Sequence, residues 1–344
     1  MTILKGKIDA RLQRIANVLL LNASFTNNIG LLNGKMGIAI FFYHYSRHTE
    51  NKLFEDYAGD LIDEIYKEIN TSTPVDFANG LMGIGWGIEY LVREKFLEAD
   101  TDDVLSDIDN IVFRATLKTP ALITNQTDIF GFGLYYLARL NGRENDNDNL
   151  NTVIKKQMLI YLHDDCERLL TKEELFDLKV PQLTINQIIS IVYFLTELQR
   201  LKLFPVKLAK LEGYLPKYIL EKAEKPKYEI ERTALIQLLT EFSKKLTNKN
   251  LNSEYLQICE SMKVETNKEL QTNISILNGF IKSTWYSLLY PVSFQNMQLA
   301  EKALAIADNE ESWNQRLDEL NIDNFGLDNG MAGLGLAILN EIKK

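Results

Sequence analysis

Three histidines and two cysteines are all the imidazole and thiol that this 344-residue chain possesses, so any metal or nucleophile chemistry must come from a short set. His44 and His48 stand four apart, the spacing at which two imidazoles on one helix face clamp a metal. No glutamate follows His44, and the pair falls about 15 Å along its helix from the glycine-rich start, so it reads as a surface or loop-facing pair. His163 and Cys166, beside Asp164 and Asp165, sit on a charged amphipathic segment and read as part of its solvated face. Carboxylates are the richer set: Asp76, Asp128, Glu231 and Asp328 each stand at or just before the start of an apolar segment. Paired, such acids could serve as acid and base in glycoside cleavage or elimination. Singly, each is a helix cap that meets orphan amides and the positive end of the dipole. Asparagines recur at comparable positions, Asn33, Asn79, Asn186, Asn278 and Asn329, and raise the same choice between cap and ligand contact.

The elements that must hold these residues are marked by glycine. Asn33-Gly34-Lys35-Met36-Gly37-Ile38-Ala39, Asn79-Gly80-Leu81-Met82-Gly83-Ile84-Gly85 and Asn329-Gly330-Met331-Ala332-Gly333-Leu334-Gly335 share one pattern, each at the head of an apolar helix. Weaker copies begin at Asp128 and Leu277. A glycine inside a helix costs about 1 kcal/mol against alanine, so a strip of them implies a neighbour packed close enough to offset it. In the second copy Asp76 or Asn79 is the expected cap. The copies recur with a period of about 50 residues, and two glycine-free apolar helices near Thr184 and Ile230 fill the long gap, which gives about seven units. Between the apolar helices lie segments such as Lys52 to Ile69, apolar at helical spacing with acids and lysines between, the pattern of an outer helix with one wet face. Asp102 to Leu117 reads as another, in one piece. The expected fold is therefore all-α: an α/α toroid of about seven hairpins with inner and outer helix rings, formed by residues 1–344 as a single domain. The last inner helix would lie beside the first outer one, and the helix starts would share one mouth, lined by the asparagines and by Trp285. Trp86, Tyr90, Tyr286 and Tyr290 also fall on inner helices, where most aromatics are core. Trp313, in an acidic loop, is the more exposed candidate for partner contact.

Composition agrees. Apolar residues make up 46% of the chain, enough for a large core, and seven prolines leave long helices uninterrupted. A net charge of −9 argues against nucleic acid and anionic membrane surfaces as partners. No apolar run reaches the length of a membrane span. Two cysteines make no disulfide framework, and a reducing compartment, the cytoplasm, is expected.

The glycine motifs in Gly30 to Phe42, Asp76 to Leu91 and Phe325 to Leu339 resemble those of the lanthionine synthetase C-like family, the cyclases of ribosomally made peptides. The resemblance implies a seven-hairpin α/α toroid and, in the family, the joining of dehydrated residues to cysteine thiols at a central zinc. A catalytic zinc takes three protein ligands and leaves one position open. The family's Cys-His-Gly before its sixth inner helix meets Leu277-Asn278-Gly279 here, and its Trp-Cys before the fifth meets Tyr228-Glu229-Ile230-Glu231. Its histidine at the head of the fourth is replaced by Asn186 or Gln187, and only its third-repeat aspartate has a counterpart, Asp128. The resemblance thus carries over the scaffold and not the ligands: no zinc and no other cofactor is expected. A pseudoenzyme that binds a precursor peptide and its modifying enzyme is the first expectation. A carbohydrate-active toroid using Asp76 and Asp128 is an alternative, and a structural scaffold is another.

Overall fold

The computed structural model describes residues 2–118, 129–143, 146, 149–176, 183–221, 226, 229–246, 248–264, 273–290, 297–309, 311, 314, 325–328 and 330–342. These residues are helical with no β-strand among them. In chain order the helices are α1 (Thr2–Asn22), α2 (Lys35–Thr49), α3 (Lys52–Glu68), α4 (Leu81–Arg93), α5 (Thr101–Val104), α6 (Ser106–Lys118), α7 (Ile129–Leu140), α8 (Leu150–Phe176), α9 (Ile185–Arg200), α10 (Pro205–Glu221), α11 (Glu229–Lys244), α12 (Lys249–Val264), α13 (Asn273–Leu289), α14 (Met297–Asp308) and α15 (Met331–Ile342). The segment expected as one helix from Asp102 is two, α5 and α6, parted at the buried Leu105. Asp100 opens α5 by accepting from the Asp102 amide at 3.0 Å.

Burial alternates along the chain as the sequence pattern demands. Every residue of α2 from Lys35 to Ser46 is buried, whereas α3 buries only Ala58, Leu61, Ile62 and Ile65, one stripe at helical spacing. Lys35 is admitted to the first position of α2 because Glu64 and Glu68 of α3 meet its ammonium at 3.0 and 2.5 Å. Burial alone would lower its pKa, but the two glutamates hold it above the ordinary lysine value.

The chain forms two compact units, Met1–Ile108 with Glu269–Lys344, and Asp109–Lys268. In the first, α2 packs beside α4 on one side and α15 on the other, α13 packs beside α15, and α1 lies against α14 and α15. The first and last helices of the chain therefore meet. In the second unit, α7 packs beside α9 and α9 beside α11, with α8, α10 and α12 against them. Arg139 of α7 is fully buried there, and Asp109 takes its guanidinium through two hydrogen bonds of 3.0 and 2.6 Å. The Tyr135 hydroxyl donates to the same carboxylate at 2.6 Å.

The histidines and cysteines are where the structure corrects the sequence reading. His44 is not on the surface: it is buried between α2 and α4, its Nε2 2.7 Å from the Tyr90 hydroxyl. His48 turns instead to Asp9 of α1, at 3.0 Å, so the two imidazoles serve different neighbours. His163 and Cys166 are fully buried as well, because α8 is covered by α7 on one side and α10 on another.

Candidate binding site at the heads of the inner helices

Two inner helices of the first unit, α2 and α4, begin without side-chain caps. Gly34 and Gly80 are the N-cap residues of α2 and α4, and neither helix has a side-chain cap hydrogen bond, contrary to the expectation that Asp76 or Asn79 would supply one. The orphan amides are met by the chain itself. Each lead-in loop folds back over the helix it precedes, so Lys35 N–H donates to the Asn28 carbonyl at 2.8 Å and Leu81 N–H to the Pro74 carbonyl at 2.9 Å. In α15 the Ala332 and Gly333 amides reach the Phe325 and Gly326 carbonyls, each at 3.1 Å. This arrangement explains the glycines. A Cβ on Gly83 would lie 2.1 Å from the Phe77 carbonyl oxygen, and one on Gly333 would lie 2.1 Å from that of Leu327. The small residue leaves room for the helix's own lead-in loop as much as for a neighbouring helix.

The loops are also tied to one another. Leu32 N–H donates to the Ala78 carbonyl at 2.8 Å, and Asp328 N–H donates to the Leu32 carbonyl at 2.9 Å. Leu32, Ala78 and Asp328 are equivalent positions, each just before an Asn-Gly pair. One backbone bond per step thus sets the three loops side by side, with the loop of α2 between the other two.

Asparagine amides complete the surface they form. Asn79 Oδ1 accepts from Asn28 Nδ2 at 2.7 Å and from Asn33 Nδ2 at 2.9 Å, while Asn28 Oδ1 takes the Gly30 amide at 2.8 Å. The three side chains are locked, and the Asn79 amide orientation is set by two donors. Asn28 and Asn79 line an open cleft of about 730 Å³ together with Lys67, Asn70, Ser72 and Thr73. Asn28 was not singled out in the sequence; its only signal is the Asn27-Asn28 pair ahead of Ile29-Gly30.

The carboxylates divide by role. Asp76 Oδ1 accepts the Asn79 amide at 2.7 Å and so closes the turn before α4. Asp328, leading into α15, has a buried Oδ1 with no partner, and burial raises its carboxyl pKa against the opposing pull of Lys282. The loop of α2 separates the Asp76 loop from Asp328. In the second unit Glu231 is buried in the first turn of α11, and Asn186 is exposed in the first turn of α9. Gln187 belongs to a capping box with Thr184. Asn278 is on α13, its Oδ1 buried without a partner. Asp128, Asn329 and Trp313 lie outside the described residues, as does the side chain of Trp285, whose backbone is in α13.

Potential metal donors sit elsewhere. Cys166 and Cys259 are free, buried thiols on α8 and α12. Among the described residues, one group of side chains could hold a metal ion, His163, Asp164 and Glu167 on α8, but Lys207 already pairs with Asp164 and Lys210 with Glu167. No described helix is long and apolar enough to cross a membrane.

Comparison with known proteins agrees with this architecture. Residues 7–162 match the family described as lanthionine synthetase C-like protein. A comparison with curated proteins finds no match. Among solved structures, nisin cyclase superposes with a TM-score of 0.60 at 11% sequence identity, over 99% of this chain and 95% of that chain. Residues 7–162 are thus similar to the lanthionine synthetase C-like family, and the all-α chain shares the fold of nisin cyclase along its length.

Proposed function

We propose that this protein binds a ribosomally made precursor peptide at the heads of its inner helices and assists its modification without zinc. The observation that carries the reading is the donor set. Where the resemblance places a Cys-His-Gly zinc motif, the chain has Leu277-Asn278-Gly279. Zinc takes thiolate, imidazole or carboxylate. The two thiols of this chain are on α8 and α12, and burial pushes that of Cys166 up to about 12. His44 is engaged with Tyr90. An amide in the second turn of α13 and a single carboxylate before α15 make a poor zinc site. The scaffold is kept with its loops tied together, and a fixed row of amides borders the cleft. The fold neighbour is by name a cyclase of nisin, which favours a peptide ligand. Free, buried cysteines suit a cytoplasmic setting.

Two measurements test the reading. Elemental analysis of the purified protein should find zinc far below one equivalent; a stoichiometric amount overturns the zinc-free assignment. Calorimetric titration with any small precursor peptide found to be encoded beside this chain should give saturable binding, and its absence removes the peptide partner.

A further inference from the structure

The cleft beside the loop of α4 has an uneven polar lining. At about 730 Å³ it lies within the range, roughly 300–1,000 Å³, of pockets that take a drug-sized ligand. One of its donors is fixed in direction. Gly30 N–H donates to Asn28 Oδ1 at 2.8 Å, which leaves Asn28 Nδ2 to donate to Asn79 Oδ1 at 2.7 Å. Asn33 Nδ2 reaches the same oxygen at 2.9 Å. The Asn79 amide is thus held by its oxygen, and no described residue accepts from its nitrogen. That nitrogen carries two N–H donors, and Asn79 is only half-buried where it lines the cleft.

The second donor is charged. Lys67, in the last turn of α3, is exposed on the same lining and pairs with no carboxylate among the described residues. Acids of this corner are already engaged. Glu68 meets the Lys35 ammonium at 2.5 Å, and Asp76 Oδ1 takes the backbone N–H of Asn79 at 2.7 Å. Asn70 and Thr73, also on the lining, spend their side-chain oxygens on the loop itself: Asn70 Oδ1 accepts from Ser72 N–H at 2.9 Å, and Thr73 Oγ1 from Asn70 N–H at 3.0 Å. The cleft is left with an unmatched ammonium and an unmatched, pre-oriented amide nitrogen. A ligand group that serves both offers two acceptor oxygens and a negative charge, which on a peptide is a carboxylate.

We infer that this cleft takes a carboxylate of the bound peptide, one oxygen toward Lys67 Nζ and the other toward Asn79 Nδ2. The inference rests on the peptide-binding reading above and names the group on the peptide and the two residues that meet it. The test titrates four probes by calorimetry: a hexapeptide of glycine, serine and one aspartate blocked at both ends; its asparagine counterpart, equally blocked; that counterpart with a free C-terminus; and inorganic phosphate. At least one of the two carboxylate peptides should bind at least about tenfold tighter than the blocked asparagine peptide, the gain of one charge-assisted hydrogen bond. Which of them does so tells a side-chain carboxylate from a terminal one. Lys67→Met should weaken the favoured peptide about tenfold, and an exposed site should leave folding intact. Asn79→Asp keeps the oxygen that Asn28 and Asn33 hold and puts a second oxygen in place of the free nitrogen, so it should weaken the same peptide at least about tenfold. Circular dichroism with urea titration checks both folds, and if Asn79→Asp does not fold, Lys67→Met alone decides. No preference for either carboxylate peptide, or affinity unchanged in a folded variant, overturns the assignment. Phosphate that binds as tightly as the favoured peptide makes this a small-anion site and overturns it too. A precursor peptide found to be encoded beside this chain separates the two readings. If it binds the unaltered protein and both variants equally, the peptide-binding reading stands and this assignment falls. If it does not bind the unaltered protein while the favoured hexapeptide does, the carboxylate site stands and the precursor reading falls.

Discussion

Alanine at Gly83 should weaken the protein although alanine is the better helix former. A glycine-to-alanine change inside a helix ordinarily gains about 1 kcal/mol. At Gly83 the new methyl would sit 2.1 Å from the Phe77 carbonyl oxygen and 2.8 Å from Leu31 Cβ, so the lead-in loop must move. That loop supplies the hydrogen bonds from Leu81 N–H to Pro74, 2.9 Å, and from Met82 N–H to Val75, 3.3 Å. Their loss costs about 1 kcal/mol each, and overpacking a dense site adds about 1–3 kcal/mol. Set against the propensity gain, Gly83→Ala should destabilise by about 2–4 kcal/mol. Gly213 is the control: it lies in α10, and a Cβ there would meet nothing within 4 Å. Gly213→Ala should therefore stabilise by up to about 1 kcal/mol. Urea denaturation followed by circular dichroism reads both changes as shifts in midpoint at a common slope. A midpoint that rises for Gly83→Ala as it does for Gly213→Ala would refute the claim that the loop fills the space of the missing side chain.

The charged cluster of the second unit should be unforgiving. Asp109→Ala removes the carboxylate that pairs with the buried Arg139 guanidinium and should cost about 3–5 kcal/mol by urea titration, while a loss below about 1 kcal/mol would mean that other groups carry the charge. Asp328 should leave a mark on the pH dependence of stability. Burial raises its folded-state pKa above the unfolded value, so the stability that its protonated form contributes is present in acid and lost as pH rises through the folded pKa. The stability of the unaltered protein relative to Asp328→Asn should accordingly decline from acid toward neutral pH, and a difference that stays flat across that range contradicts the direction of the shift.

Helix type and order were legible because they rest on periodicity. The stripe Ala58, Leu61, Ile62 and Ile65 declares α3 an outer helix, and the glycine-headed apolar runs declare α2, α4 and α15 inner ones. The capping of those inner helices was not legible. A single-position rule points to Asp76 or Asn79, but the amides are met by carbonyls seven residues back along the chain, a property of the loop's path and not of any side chain. The burial of His163 and Cys166 was missed for a related reason. Their neighbours Asp164 and Asp165 suggest water, yet Asp164 is met by Lys207 of α10 and Asp165 by Arg168, so charge there marks contacts between and along helices. His44 reads as half of a histidine pair until its partner is known to be Tyr90, which lies 46 residues away. Asn28 escaped notice because its importance comes from Asn79, which is brought to it only when the two loops stack.

The links that run from Asp328 through Leu32 to Ala78 are made by main-chain atoms alone. Whatever projects from those three sites is consequently spectator to the join, much as paint is to a hinge. A leucine, an alanine and an aspartate already occupy the same station in one molecule, so this edge can be redecorated residue by residue while the frame behind it stays shut.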